Sequence, residues 1–209
     1  MSAVEKITKS YLEYVLEEGK KPVSVAAFTK KLKLKESDFY QEFTSFSMVE
    51  AAVWNTFFED TITRMESEEV FMSYSAREKT LSFYYTWIEV LKENRSYVLI
   101  FFEKNRAKSL KELDGMTAFK DGFKDYADKI LIEGIENREV QQRPFISDKY
   151  ASLLFGQALM VTNFWVKDET KAFEKTDVFI EKSVNTVFDL MGKSALDSVF
   201  DLVKFMLQK

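Results

Sequence analysis

The chain has 209 residues, of which 46% are hydrophobic and 31% charged, and a formal net charge of −4. That length and apolar content supply core for one large domain or for a small head and a larger body, and argue against disorder. Cysteine and histidine are both absent, which removes thiol nucleophiles, Ser-His-Asp triads, disulfides and the usual zinc sites, so neither a metal nor a cofactor is expected.

Helical periodicity runs through the whole chain, interrupted by only two prolines and six glycines, and the expected fold class is all-α. Val4, Ile7, Tyr11 and Val15 form an apolar stripe on a first helix. Two short helices joined by a tight turn follow between Gly19 and Phe43. A longer helix from Ser47 to about Glu68 carries the stripe Met48, Val49, Ala52, Val53 and Phe57. Between Ala76 and Asn94, Leu81, Tyr84, Tyr85, Ile88 and Leu91 are joined by Phe83, Trp87 and Val90, and a helix apolar nearly all round belongs in the centre of a domain. The run Tyr97 to Phe102 reads as a helix, with Ser96 able to cap it, because no partner strand exists elsewhere.

After a break at Asp114-Gly115, the residues Met116, Phe119, Phe123, Tyr126, Ile130 and Leu131 mark a helix ending near Arg138, and Gln141-Gln142-Arg143-Pro144 reads as a loop. Tyr150 to Val166 contains no charged residue, with Gly156 in its middle. It is shorter than the ~20 residues of a membrane span and is interrupted by Gln157, Thr162 and Asn163. A helix from about Lys171 to Leu190 follows, with Phe173, Ile180, Val184, Val187, Phe188 and Met191 on one side. Asp197 to Lys209 reads as a further amphipathic helix. With no apolar N-terminal signal segment, the expected location is cytoplasmic.

The segment from Gly19 to Phe46 resembles the helix-turn-helix motif of the tetracycline-repressor (TetR) family. That motif runs glycine, Ser/Thr-Val, Ile-Ala, Ala-Gly-Val-Ser, Gly-Thr-Leu-Tyr, His-Phe and Ser-Lys. Without a gap, Gly19 takes the glycine, Ser24-Val25 the helix start, Phe28 the isoleucine, Leu34 the valine, Phe39-Tyr40 the Leu-Tyr pair, and Phe43 and Ser45 the close. The departures fall on the turn and the DNA-facing surface. Lys33 stands where the family has a turn glycine, Asp38 where it has Thr or Ser, Glu42 where it often has His, and Phe46 where it has the lysine that pairs with phosphate.

The resemblance implies a three-helix head over residues 1–46 and a ligand-binding and dimerisation domain over 47–209. It also implies a homodimeric transcriptional regulator whose DNA binding is controlled by a small apolar effector. DNA contact would rest on Lys30, Lys31, Lys33, Lys35, Ser37, Tyr40 and Gln41, since no arginine precedes Arg64. Residues 1–47 hold eight lysines against seven acids, a weak electrostatic footprint for a nucleic-acid-binding head. Trp87, Phe101, Phe123, Tyr126 and Phe155 are the expected ligand-pocket residues, suited to an apolar small molecule or lipid.

The two helices after Ser147 resemble the pair that builds the family's dimer, a four-helix bundle, with Leu154, Gln157, Val161, Phe164, Val184, Val187 and Met191 at the seam. The altered head leaves a second reading open, a TetR-fold lipid- or isoprenoid-binding protein without DNA activity, resembling accessory proteins of coenzyme Q biosynthesis. Enzymatic activity is not expected: Glu59, Asp60, Glu66, Glu68, Glu69, Asp121 and Asp125 lie on charged faces.

Overall fold

The computed structural model describes residues 2–105 and 114–192. Among these, all regular structure is helical: α1 (Ala3–Glu18), α2 (Val25–Lys31), α3 (Glu36–Glu42), α4 (Phe46–Glu66), α5 (Ala76–Glu93), α6 (Arg95–Lys104), α7 (Thr117–Glu136), α8 (Tyr150–Val166) and α9 (Glu174–Met191). The helix expected over Asp197–Lys209 lies outside the described residues. The chain forms two compact units, one drawn from Met1–Thr63 and Trp87–Gly122, the other from Arg64–Thr86 and Phe123–Lys209. The head expected over residues 1–46 lies within the first.

The first unit begins with a reciprocal cap. Ser2 Oγ accepts the Glu5 amide at 3.1 Å, and Glu5 accepts the Ser2 amide at 2.9 Å, so two of the orphan donors at the start of α1 are satisfied. Gly19 ends the helix in the left-handed region at φ 65, its amide donating to the Val15 carbonyl, where a side chain would be strained. Ile7, Tyr11 and Val15 are buried as expected, whereas Val4 is exposed.

Ser24 caps α2 by accepting the Ala27 amide. At the other end the Leu34 amide donates to Thr29 O and the Lys33 amide to Lys30 O, a closing pattern that needs a left-handed residue between them. Lys33 holds that position at φ 55. A side chain in this region costs about 1–2 kcal/mol, so the family's glycine is missing while its backbone turn is kept. Lys33→Gly is expected to raise stability by about 0.5–1 kcal/mol, the relief of strain less the added freedom of the unfolded chain. Equilibrium urea unfolding checks this, and a neutral or negative change would show that the turn carries no strain.

The three head helices close over an aromatic cluster. Phe28 and Phe39 are fully buried with ring centroids 6.3 Å apart. Phe46 stacks on Tyr11 at 5.6 Å and meets Phe28 and Phe39 edge-on. The side chain that replaces the family's phosphate-pairing lysine is thus half-buried against the head core.

Along α4 the buried stripe is Val49, Glu50, Val53, Trp54, Phe57, Thr61 and Met65, rotated from the expected one, with Met48 left exposed. In the first unit Trp54 and Phe57 of this stripe pack with Trp87, Tyr97 and Phe101; Trp87 stacks flat on Phe119 at 4.5 Å and Trp54 meets Phe101 at 5.1 Å. Gly122 makes room for the Phe58 ring, from which a Cβ there would lie 2.8 Å. The helix expected from Tyr97 is present but begins at Arg95, so Ser96 is inside it rather than at its cap. Asn94 holds the N-cap position without a side-chain bond.

In the second unit α8 and α9 pack side by side. Asp168 fixes the turn between them by accepting the Thr170 and Thr176 amides at 2.9 Å and both hydroxyls at 2.6 and 2.7 Å. Burial alone would raise this carboxyl, but the four donors outweigh it and hold it at about 2, so the cap stays charged at physiological pH. Arg143, in the stretch read as a loop, is itself buried. Its guanidinium donates to Leu190 O at 2.9 Å, Gly192 O at 2.7 Å and the Tyr150 hydroxyl at 2.9 Å, which fastens the end of α9.

Candidate nucleic-acid interface and ligand core

The residues expected to meet DNA surround the α2–α3 corner. Lys30, Lys33, Lys35, Ser37, Tyr40 and Gln41 are exposed, with Tyr40 at 53%. Lys31 is exposed but already engaged: its Nζ lies 2.8 Å from Glu17 and 3.5 Å from Glu18, and 4.8 Å from the Tyr14 ring centre. The Glu17 hydrogen bond holds its ammonium above the ordinary lysine range, so a phosphate would have to displace two carboxylates to use it.

Asp38 has a structural task. Its Oδ2 accepts the Lys35 amide at 3.1 Å, satisfying one orphan donor at the start of α3, where negative charge is also favoured by the macrodipole. Glu36 and Glu42 remain exposed. The corner therefore presents lysines on the turn and carboxylates along α3, and a carboxylate near a phosphate opposes docking.

The five aromatic residues expected around a ligand fall into two clusters, one in each unit. Trp87 and Phe101 sit with Trp54, Tyr97 and Phe119 in the first. Phe123, Tyr126 and Phe155 belong to the second, gathered by Phe83, whose ring lies 4.9 Å from Phe123 and 5.5 Å from Tyr126, with Phe155 5.9 Å from Phe123. Each cluster holds polar atoms that are buried without a hydrogen-bond partner among the described residues: Trp54 Nε1 and the Tyr97 hydroxyl in one, the Tyr126 hydroxyl in the other. Burial, with Glu50 for Tyr97 and with Glu66 and Glu133 for Tyr126, pushes both phenols up, so both are neutral donors at physiological pH.

Of the seven residues expected at a dimer seam, Leu154, Gln157, Val161, Val184 and Met191 are buried inside the chain itself, between 0% and 5% exposed. Gln157 is also tied within the unit, accepting from the Tyr84 hydroxyl at 3.2 Å and donating to Ser183 Oγ at 3.0 Å. Phe164 and Val187 are half-buried.

The family profile described as the tetracyclin repressor-like C-terminal domain matches residues 79–206, more than half of the chain. The chain belongs to the TetR family. No curated protein sequence matches it. Among solved structures it is similar to a candidate TetR-family transcription regulator from Shewanella sp. PV-4, at 12% identity and a TM-score of 0.62 over 93% of this chain and 100% of that one. It is also similar to a regulatory protein in the TetR family from Rhodococcus RHA1, at 12% identity and a TM-score of 0.51 over 93% and 99% of the two chains. A Rhodococcus sp. RHA1 protein with unknown function aligns at 11% identity and a TM-score of 0.55, over 92% and 97%. Identities this low establish a shared fold and leave binding properties to the residues of this chain.

In this TetR chain, residues that sequence reasoning did not single out carry the internal polar links. Glu50 is buried on α4 and its Oε1 accepts from the Tyr11 hydroxyl at 2.8 Å and from Lys104 Nζ at 2.5 Å, so one carboxylate joins α1, α4 and α6. In the second unit the buried Lys79 pairs with Glu133 and lies over the Phe71 ring. The only signal for Glu50 was its spacing of four from Trp54 along α4. Among the described residues no group of acids could hold a metal ion, and no helix is long and apolar enough to cross a membrane.

Proposed function

We propose that the chain is a homodimeric transcriptional regulator of the TetR type whose head binds DNA weakly and whose DNA binding responds to a small apolar effector. The observation that supports this best is the helix-turn-helix backbone: the Ser24 cap, the left-handed turn at Lys33 and the Asp38 cap on α3 are all formed although the sequence departs from the family at the turn. Strained backbone persists only where the surrounding structure fixes it, and it clusters at functional sites. Contact would rest on Lys30, Lys33 and Lys35 with Ser37, Tyr40 and Gln41, and on Lys31 only if it leaves Glu17.

A dimer using two or three lysines per head should show a slope of log K against log salt of about −4 to −5, since each phosphate neutralised contributes ~0.9. A genome-fragment selection with purified protein at two salt concentrations measures this. No enrichment at the lower salt would remove the regulator reading.

The second reading, a TetR-fold protein that carries a lipid or isoprenoid and has left DNA, is favoured by Phe46, whose half-buried ring packs on the head aromatics where the family has a phosphate-pairing lysine. Both readings place an apolar ligand in the aromatic body, where the unpartnered Tyr97, Trp54 or Tyr126 donor offers one hydrogen bond. A ligand of this kind at a hundredfold excess over Kd should stabilise the fold by about 2.7 kcal/mol. The thermal midpoint reads this, and native mass spectrometry would show a co-purified lipid. An unmoved midpoint across an apolar ligand panel would leave the aromatic clusters as solid core.

For the dimer, the reachable face of α8 and α9 is better suited to a seam than the buried residues. Leu153 and Met160 on α8 and Val178 on α9 are 45–55% exposed, and Phe164 stacks on Phe179 at 4.5 Å beside them. A Cβ at Gly156 would meet nothing within 4 Å, which leaves room for a partner helix to approach closely.

A further inference from the structure

A groove of about 570 Å³ opens in the first unit where the end of α1 meets α6, lined by Gly19, Lys20, Lys21, Leu99, Ile100, Glu103 and Lys104. None of these residues belongs to the aromatic clusters or to the α2–α3 corner. Its volume lies within the ~300–1,000 Å³ of small-molecule sites.

The floor is apolar: Leu99 is 38% exposed in the middle of α6, with Ile100 beside it. The charged rim is predominantly positive, three lysines against one glutamate. Lys104 is neutralised by the buried Glu50 at 2.5 Å. Lys20 and Lys21 are exposed and have no ion-pair partner among the described residues. They are placed by Gly19, whose left-handed turn swings the chain off α1 and whose missing Cβ leaves open space in front of it. An apolar floor next to two unpaired ammonium groups is complementary to an anion with a hydrocarbon body, and to neither a neutral lipid nor a bare ion.

We propose that this groove binds an amphipathic anion, its hydrocarbon part over Leu99 and Ile100 and its carboxylate or phosphate head at Lys20 and Lys21. The occupant would bridge the α1–α2 link to α6 beside the Tyr11–Glu50–Lys104 junction, and so would clamp the start of the helix-turn-helix against α6. This rests on the groove alone and does not require that the aromatic clusters hold a ligand or that the head binds DNA.

The test is a titration of the full-length protein with decanoate and with decyl phosphate, and with 1-decanol as the uncharged control, followed through the amide resonances of Gly19, Leu99 and Ile100. The proposal expects saturable shifts of these amides with at least one of the two anions and a Kd at least fivefold weaker for decanol. The tighter of the anions assigns the head group. Lys20→Glu with Lys21→Glu should weaken the better anion at least fivefold. Both residues are exposed in a link between helices, so the fold should survive, and amide dispersion checks that it does. Leu99→Asp should do the same through the floor. The proposal is overturned if the three amides do not move with either anion, if decanol binds within fivefold of the better anion, or if the charge reversal changes Kd by less than fivefold. Anion binding that shifts only amides of the second unit also overturns it, and would leave the apolar-effector reading standing.

Discussion

Arg143→Met should lower the stability of the protein by about 3 kcal/mol, as charge-assisted hydrogen bonds of ~1.5–3 kcal/mol each are lost and buried acceptors are left open. In the native chain the guanidinium reaches Leu190 O, Met191 O and Gly192 O as well as the Tyr150 hydroxyl. It therefore places a positive charge against the negative end of the α9 macrodipole in a partly dry setting, where that interaction is strongest. For a chain of this size each kcal/mol shifts Tm by roughly 2–4 °C, so a fall of about 6–12 °C is expected.

Lysine is not an adequate replacement. A single ammonium cannot span three carbonyls and a hydroxyl in the fixed fork that guanidinium presents, and Arg143→Lys should recover less than half of the loss. Thermal and urea unfolding of the two variants measure this. A loss below about 1 kcal/mol for the methionine variant would place it among ordinary surface changes and remove the role given to Arg143.

Nothing in the local sequence announced that role. Gln141-Gln142-Arg143-Pro144 reads as a loop because it is polar and ends in proline, and the reading is correct for the backbone. The carbonyls that Arg143 serves, however, are more than forty positions away in the chain, and no periodicity carries information over that separation. Glu50 is a similar case. A carboxylate next to Val49 looks like solvated surface until Tyr11 and Lys104, from two other helices, are brought to it.

What periodicity does report is which segments are helices, because that depends on spacing within one segment. The charge-free run from Tyr150 to Val166 coincides with α8, and Ala76 to Asn94 matches α5 to within a residue. The head motif was legible for the same reason: Phe28, Phe39 and Phe43 are spaced as packing positions and are buried. Periodicity is weaker at saying which side of an apolar helix faces inward. On α8 nearly every position is apolar, so Leu154 and Val161 could not be told from Leu153 and Met160 by composition. Burial in the folded chain puts the first pair inside and leaves the second exposed.

That distinction decides how the dimer is to be tested. Met160→Asp should convert a dimer at micromolar concentration into a monomer while leaving the far-ultraviolet circular dichroism unchanged. Met160 is 55% exposed in the single chain, so aspartate there meets water and the monomer loses little. In a two-fold seam the same side chain from each protomer would be enclosed, and an unpaired buried charge costs about 3–5 kcal/mol. With two copies in one isologous interface, the dissociation constant should rise by at least ~10³, taking 1.4 kcal/mol per tenfold. Leu154→Asp, by contrast, places the charge in the chain's own interior and should unfold the protein, so loss of the dimer in that variant would say nothing about the seam. Gly156→Leu gives an independent reading: it removes a helix-interior glycine, which should stabilise the monomer by about 0.5–1 kcal/mol, and fills the space through which a partner helix would approach. Sedimentation velocity of the three variants separates the cases. A Met160→Asp or Gly156→Leu protein that remains a dimer would move the seam off this face of α8.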